Sequence, residues 1–186
     1  MKWGLLFNIL IRASIIYFLG EVLLFPDDPR FAGKAIPIRN FLIVITLSLL
    51  FPILYFWKKR WPFDKPQGYP FWWDNLYLSI FWLDMFGNSF NLYDSFFYFD
   101  LIPHFHSTAA LATVALGAFN FSFWAGVGFA NVIHMLLEAQ EYYTDVFFGT
   151  HNVRGTFDVV NDLLVGVLGT IVYGLLYLYF FKRHQR

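Results

Sequence analysis

The sequence predicts an all-α integral membrane protein of about six transmembrane helices in a compact bundle. Its 186 residues are 58% hydrophobic and only 14% charged, whereas soluble domains carry about 25% charged residues. Mean hydropathy is +0.51, and several apolar runs approach the length of about 20 residues that crosses a bilayer. No repeat or second domain is visible, so residues 1–186 are predicted to form a single polytopic domain.

Six segments are predicted to span the membrane, at residues 4–25, 40–57, 71–93, 103–119, 123–143 and 157–181. Pro26 closes the first span because proline cannot continue a helix. Pro103 opens the fourth at a favourable first-turn position. Residues 120–122 form the turn before the fifth. Alanines in the fourth span, and Gly166 and Gly169 in the sixth, predict close helix packing.

Six spans place both termini on the same side of the membrane. Eight Lys and Arg residues flank the spans on that side, and four flank them on the other side. The positive-inside rule therefore predicts cytoplasmic termini in a plasma (inner) membrane. A formal net charge of zero gives no sign of a nucleic-acid partner. Membrane lipid is the predicted partner, and nothing indicates an oligomeric state.

Three polar clusters lie at the outer ends of the last three predicted spans. Each pairs ionisable residues three or four positions apart, on one helix face: Asp100 with His104, Glu138 with Glu141, and Asp158 with Asp162. His104 and Glu138 are each 17 residues from Phe121, or about 25 Å along a helix. We therefore expect them at equal depth. Ionisable residues this close to hydrocarbon predict a functional site.

The same three motifs resemble those of the YjdF-type membrane proteins, which belong to the broader VanZ-like group. The similarity covers residues 73–174 and is carried by three segments in order: Asp100-x-x-x-His104-Phe105, Glu138-x-x-Glu141-Tyr142, and Gly155-Thr-Phe-Asp158-x-x-x-Asp162 with Gly166 and Gly169 after it. The resemblance implies a small polytopic membrane protein. It supplies no reaction.

Each cluster also has a purely structural interpretation. Asp100 could cap its helix, Asp158 could cap the sixth span, and Arg154 could pair with the glutamates. Asp162 lies a full turn inside its span, where capping does not explain it. His134 shares a helix face with Glu138, but taken alone it fits a core histidine better than a ligand.

Together the clusters predict a conjoined Asp/Glu/His site whose hard and borderline ligands suit a divalent metal ion. The predicted catalytic residues are Asp100, His104, Glu138, Glu141, Asp158 and Asp162, supported by His134, Arg154 and Asp84. The hypothetical metal ligands are His104, Glu138, Glu141 and Asp162.

Three functions remain open at this point. The first is an intramembrane enzyme, or a binding protein, for a lipid-linked or amphiphilic substrate at the outer face. The second is a proton- or ion-coupled transporter. The third is a structural or partner-binding subunit whose helices are held together by a salt-bridged polar cluster. The sequence does not decide whether the protein is an enzyme.

Overall fold

The computed structural model describes residues 2–34, 36, 44–57 and 68–181. Helices and turns make up this part of the chain, and none of its residues is in a strand. The predicted all-α class is therefore confirmed there. The predicted start of the second span at residue 40 lies outside the described residues. So do the basic segments at residues 58–65 and 182–186.

Seven helices of the described chain have defined bounds: α1 Lys2–Leu24, α2 Leu50–Phe56, α3 Phe71–Ser89, α4 Leu92–Ser95, α5 Leu101–Ala118, α6 Phe123–Phe148 and α7 Thr156–Phe180. Residues 44–48 are also helical. Two of the described helices are long and apolar enough to cross a membrane, over Trp3–Leu24 and Thr156–Phe180. Only 28% of the apolar window in the first of these helices and 22% in the second is buried within the chain itself.

Two helices differ in length from the predicted spans. The third span was expected to reach residue 93, but α3 ends at Ser89. Asn91 then takes the left-handed conformation (φ 54°) before the short α4, a conformation that asparagine tolerates better than most residues. The fifth span was expected to end at residue 143, but α6 continues to Phe148. Gly149 ends it with φ 66°, the usual glycine signal after a helix.

The chain forms two compact units, Met1–Phe96 and Phe97–Arg186. In the first, α1 packs against α3. In the second, α5, α6 and α7 all pack against one another. The three clusters predicted to be functional, from Asp100 to Asp162, all belong to the second unit.

A buried polar network ties α1 to α3 in the first unit. Asp74 is fully buried. Its Oδ2 accepts hydrogen bonds from Arg12 Nη2 at 2.7 Å, Asn8 Nδ2 at 2.8 Å and the Tyr69 hydroxyl at 2.7 Å. The Arg12 guanidinium also donates to the Ser48 carbonyl oxygen. Arg12 thus neutralises a carboxylate that burial would otherwise make costly.

A second ion-pair cluster fixes the loop that follows α1. The Arg30 side chain donates to Asp28 Oδ1, to Glu21 Oε1 and to the Ser89 carbonyl oxygen. These bonds join the loop to the end of α1 and to the last residue of α3. The side-chain hydrogen bond from Arg30 lowers the pKa of Asp28 to about 2.

Small residues bring α5 and α7 close together in the second unit. The alanines of α5 that were predicted to pack closely are buried: Ala109, Ala110, Ala112, Ala115 and Ala118. A side chain at Gly169 of α7 would collide with the carbonyl oxygen of Phe105. The two backbones therefore approach closely only because a glycine stands there, as small-residue packing requires.

Candidate metal centre

Two histidines and a glutamate meet where α5 and α6 face each other. His104 Nδ1 lies 2.8 Å from His134 Nε2, and each of these nitrogens lies 3.2 Å from Glu138 Oε1. The three atoms therefore form a small triangle, which we call the His104 triangle. The His134 and Glu138 side chains are almost fully buried, and His104 is mostly so.

The local sequence explains why these atoms meet. His104 is in the first turn of α5, and His134 and Glu138 lie four positions apart on α6, which places them on one helix face. The turn between α5 and α6 fixes their relative height. Asn120 takes the left-handed conformation (φ 55°), and Ser122 caps α6 by accepting from the Ala125 amide. The equal depth predicted for His104 and Glu138 is confirmed by their 3.2 Å contact.

The other nitrogen of His104 faces two aspartates. His104 Nε2 lies 3.3 Å from Asp100 Oδ1 and 3.9 Å from Asp162 Oδ2. Asp100 occupies the N-cap position of α5 but makes no side-chain cap hydrogen bond. The capping interpretation of Asp100 is therefore wrong, because its carboxylate turns to the imidazole instead. A carboxylate in this position fixes the tautomer and orientation of a histidine.

Of the two aspartates that α7 contributes, Asp158 and Asp162, Asp162 is the more deeply buried. Its exposed fraction is 3%, and its Oδ1 has no hydrogen-bond partner among the described residues. A buried polar oxygen without a partner is costly. Carboxylates of Asp100, Glu138 and Asp162 therefore converge on one imidazole, and such like charges repel unless a cation or a proton lies among them.

His134 belongs to the centre, although its sequence context favoured a core histidine. Its Nδ1 is buried without a hydrogen-bond partner among the described residues. The ring packs against Gly166 of α7, where an added Cβ would collide with Nδ1 and also approach the Thr108 hydroxyl. The sequence predicted His134 as a supporting residue, and only the three-dimensional packing reveals that a glycine faces its ring.

Four predicted residues lie outside the two ligand groups that the described chain brings together, His104–His134–Glu138 and Asp100–His104–Asp162. Glu141 is half-buried one turn beyond Glu138. Asp158 Oδ2 accepts from the Arg154 amide, and Arg154 Nη1 donates to the Phe97 carbonyl oxygen. Asp84, in the first unit, accepts from the Tyr93 hydroxyl. Of the four predicted metal ligands, His104, Glu138 and Asp162 are divided between these two groups, and Glu141 falls in neither.

The loop between α6 and α7 is organised by one carboxylate, Asp145. It accepts from the Thr150 hydroxyl at 2.6 Å and from the amides of Asn152 at 2.9 Å and Val153 at 2.8 Å. Burial raises the pKa of Asp145, but these hydrogen bonds outweigh it and hold the pKa below its usual value. The loop that leads into Asp158 and α7 therefore depends on an ionised Asp145.

Substituting Asp145→Asn is expected to lower the free energy of unfolding by about 1–2 kcal/mol near pH 7, because amides lose a charged acceptor. The native pKa is depressed, so this stabilisation is present above the unfolded pKa of about 4 and disappears as pH falls through the native value. Thermal unfolding in detergent at pH 7, and at successively lower pH until the native carboxyl group is protonated, measures it. Asp94→Asn, at an exposed pair with Lys34, is the control. A difference that persists unchanged in acid contradicts this account.

No protein-family model matches the chain, and no curated protein or solved structure matches it either.

Proposed function

We propose that this chain is an integral membrane protein that binds a divalent metal ion on His104, His134 and Glu138. We further propose that it uses the ion to cleave or transfer an ester or phosphoester group of an amphiphilic, lipid-linked substrate. The observation that carries the proposal is the His104 triangle, with its two imidazole nitrogens and one carboxylate oxygen 2.8–3.2 Å apart.

The spacing of the triangle suits metal coordination. Nitrogen and oxygen ligands about 2.1 Å from a common ion lie about 3.0 Å apart in octahedral geometry and about 3.4 Å apart in tetrahedral geometry. The two 3.2 Å edges of the triangle lie between these values, and the 2.8 Å edge lies just below the octahedral one. The three atoms could therefore bind one ion with shifts of a few tenths of an ångström.

The ligand types favour a catalytic site over a structural one. Structural zinc sites close all four positions, usually with cysteine, whereas catalytic sites use three protein ligands and keep a position open. This chain has no cysteine. Two histidines and one glutamate are a known catalytic zinc set, and two histidines with a carboxylate also bind non-haem iron. Such an ion activates water and polarises a phosphoryl or carbonyl oxygen.

The chain's own residues supply the surrounding functions. Asp100 Oδ1, 3.3 Å from His104 Nε2, orients that ring so that Nδ1 faces the ion. Asp162 Oδ2 lies 3.9 Å from the same nitrogen and adds a second carboxylate on that side of the ring. Glu141 and Asp158, nearer the solvent, remain candidates for contacts with the substrate rather than with the ion.

A membrane setting supports an amphiphilic substrate. We place six spans in the bilayer, with the triangle at the outer end and both termini in the cytoplasm. Exposed aromatic side chains, among them Tyr98, Tyr142 and Tyr143, lie in sequence beside the site residues, as expected near a membrane interface. The motif similarity to YjdF-type proteins of the VanZ-like group is part of this proposal.

A transporter is less well supported, because the buried residues of α6 that precede His134 are apolar or glycine. Below His134, Asn131 donates to the Thr170 hydroxyl of α7. The next buried residues of α6 toward its start are Ala130, Val127 and Gly126. A coupled transporter requires polar groups or water along its whole pathway.

An enzymatic assay in micelles tests the proposal. The full chain, freed of metal and then supplied with Zn²⁺ or Mn²⁺, is given a long-chain p-nitrophenyl phosphodiester or carboxylic ester. Metal-dependent release of p-nitrophenol is expected, with a loss of about 100-fold in Glu138→Gln, since a neutral amide replaces the only charged ligand of the triangle. Asp94→Asn should retain full activity. Equal rates for wild type and Glu138→Gln with every ion and both esters would rule the proposed activity out.

A further inference from the structure

We infer that the centre takes a second divalent cation, bound by Asp100, Asp162 and the ring nitrogen of His104 that the first ion leaves free. The inference rests on the proposed function, because His104 would be shared by both ions. One imidazole would then bridge two metals, with Nδ1 on the first and Nε2 on the second.

The geometry provides a second set of ligands. His104 Nε2 is 3.3 Å from Asp100 Oδ1 and 3.9 Å from Asp162 Oδ2, and the ligand atoms of this group lie within 4.8 Å of one another. A circle through three points at those largest spacings has a radius of about 2.4 Å, which matches Ca²⁺–oxygen distances and exceeds those of a smaller ion by a few tenths of an ångström. All three atoms can therefore reach one ion with little movement.

The Asp162 carboxylate gives an independent reason to expect a bound cation at the second position. Its exposed fraction is 3% and its Oδ1 has no hydrogen-bond partner among the described residues. The 3.9 Å separation from His104 Nε2 is too long for a hydrogen bond. A single protonated imidazole therefore does not satisfy this carboxylate, whereas a cation between Asp100 and Asp162 does.

The charges of the centre are compatible with a second ion. The three carboxylates of Asp100, Glu138 and Asp162 carry three negative charges when ionised, so one dication leaves the buried centre negative, and a buried net charge is costly. For both ring nitrogens of His104 to bind ions, the imidazole would release its remaining ring proton to solvent.

The two positions differ in their preferred ion. The His104 triangle offers two nitrogens and one oxygen, which suit Zn²⁺ or Fe²⁺. The second position offers two carboxylate oxygens and one nitrogen, which suit a harder ion such as Mn²⁺. We expect an ordered pair of sites rather than two equivalent ones.

Metal stoichiometry tests the second ion. The full chain, purified in detergent without a histidine tag and stripped with a chelator, is loaded with Mn²⁺, desalted and analysed for bound metal. We expect two Mn²⁺ per chain in the wild type and in Asp94→Asn, and one in Asp162→Asn and in Asp100→Asn. The Mn²⁺ resonance should show coupling between two ions in the wild type and in Asp94→Asn, but in neither aspartate variant of the second site.

The outcomes separate this inference from the proposed function. A single ion that is lost in His134→Gln but retained in both aspartate variants overturns the second site and leaves the first intact. Two ions that persist in both aspartate variants also overturn it. No bound metal in the wild type overturns the inference together with the metal centre on which it rests. Because either aspartate variant suffices, misfolding of one does not remove the test.

Discussion

Arg12→Leu is expected to lower the free energy of unfolding by about 3–5 kcal/mol, because it leaves the fully buried Asp74 carboxylate without its cation. The ion pair is short, at 2.7 Å, and Asp74 Oδ1 already has no hydrogen-bond partner among the described residues. Removing Arg12 also frees the Ser48 carbonyl oxygen and Asn8 Oδ1, both of which accept from its guanidinium. Thermal unfolding in detergent, with matched protein and detergent concentrations, gives the value.

Two further variants test whether the loss of stability arises from the burial of the Asp74 carboxylate. Lys34→Leu removes a cation whose partner Asp94 is about half exposed, and such pairs contribute about 0–1 kcal/mol. Adding Asp74→Asn to Arg12→Leu should recover part of the lost stability, because the uncompensated charge is gone. If Arg12→Leu destabilises no more than Lys34→Leu, the buried pair does not hold α1 against α3 as described.

Gly166→Ala is expected to weaken metal binding by about 10–100-fold, the range typical of changes that displace a ligand's supporting contacts. The new methyl group would collide with the imidazole of His134 and meet the Thr108 hydroxyl. The ring must then rotate or α7 must move away, and either change spoils the His104 triangle. Overpacking of this kind also costs about 1–3 kcal/mol of stability. Competition with a chromogenic chelator measures the affinity.

Gly128→Ala, on α6, is the matched control. Nothing lies within 4 Å of an added Cβ there, so the substitution should raise helix stability by up to about 1 kcal/mol. Its metal affinity should equal that of the wild type. Equal affinities for Gly166→Ala and Gly128→Ala would mean that His134 is not a ligand held in place by Gly166.

The sequence predicted those features that follow from helix periodicity. The turn at residues 120–122 lies equally far along the chain from His104 and Glu138. This equal spacing alone predicted that the two side chains lie at the same height on their helices. The small residues of α5 and α7 likewise indicated close packing. The four-residue spacing of Asp100 and His104 predicted that they share one helix face, and their side chains do face each other.

The sequence could not show which atoms meet across helices. His134 and Glu141 both lie on the helix face that carries Glu138, so the sequence allows either of them to be the third ligand. Which of the two reaches the site depends on how their side chains point where α6 contacts α5 and α7. The sequence left a capping role open for Asp100 beside the predicted site role, because helix starts favour caps; its carboxylate makes no cap hydrogen bond and faces His104. The early end of α3 at Ser89 depends on the left-handed Asn91, which apolar composition does not reveal.

Bound zinc per chain tests the central claim most directly. The full chain is purified without a histidine tag, equilibrated with a limiting one equivalent of Zn²⁺ and examined by elemental analysis and X-ray absorption. The account predicts one tightly bound Zn²⁺ with two imidazole nitrogens and a carboxylate oxygen in its first shell, and loss of that ion in both His134→Gln and Glu138→Gln. A folded wild type that retains no zinc, or zinc that survives in both variants, would contradict a metal centre on His104, His134 and Glu138.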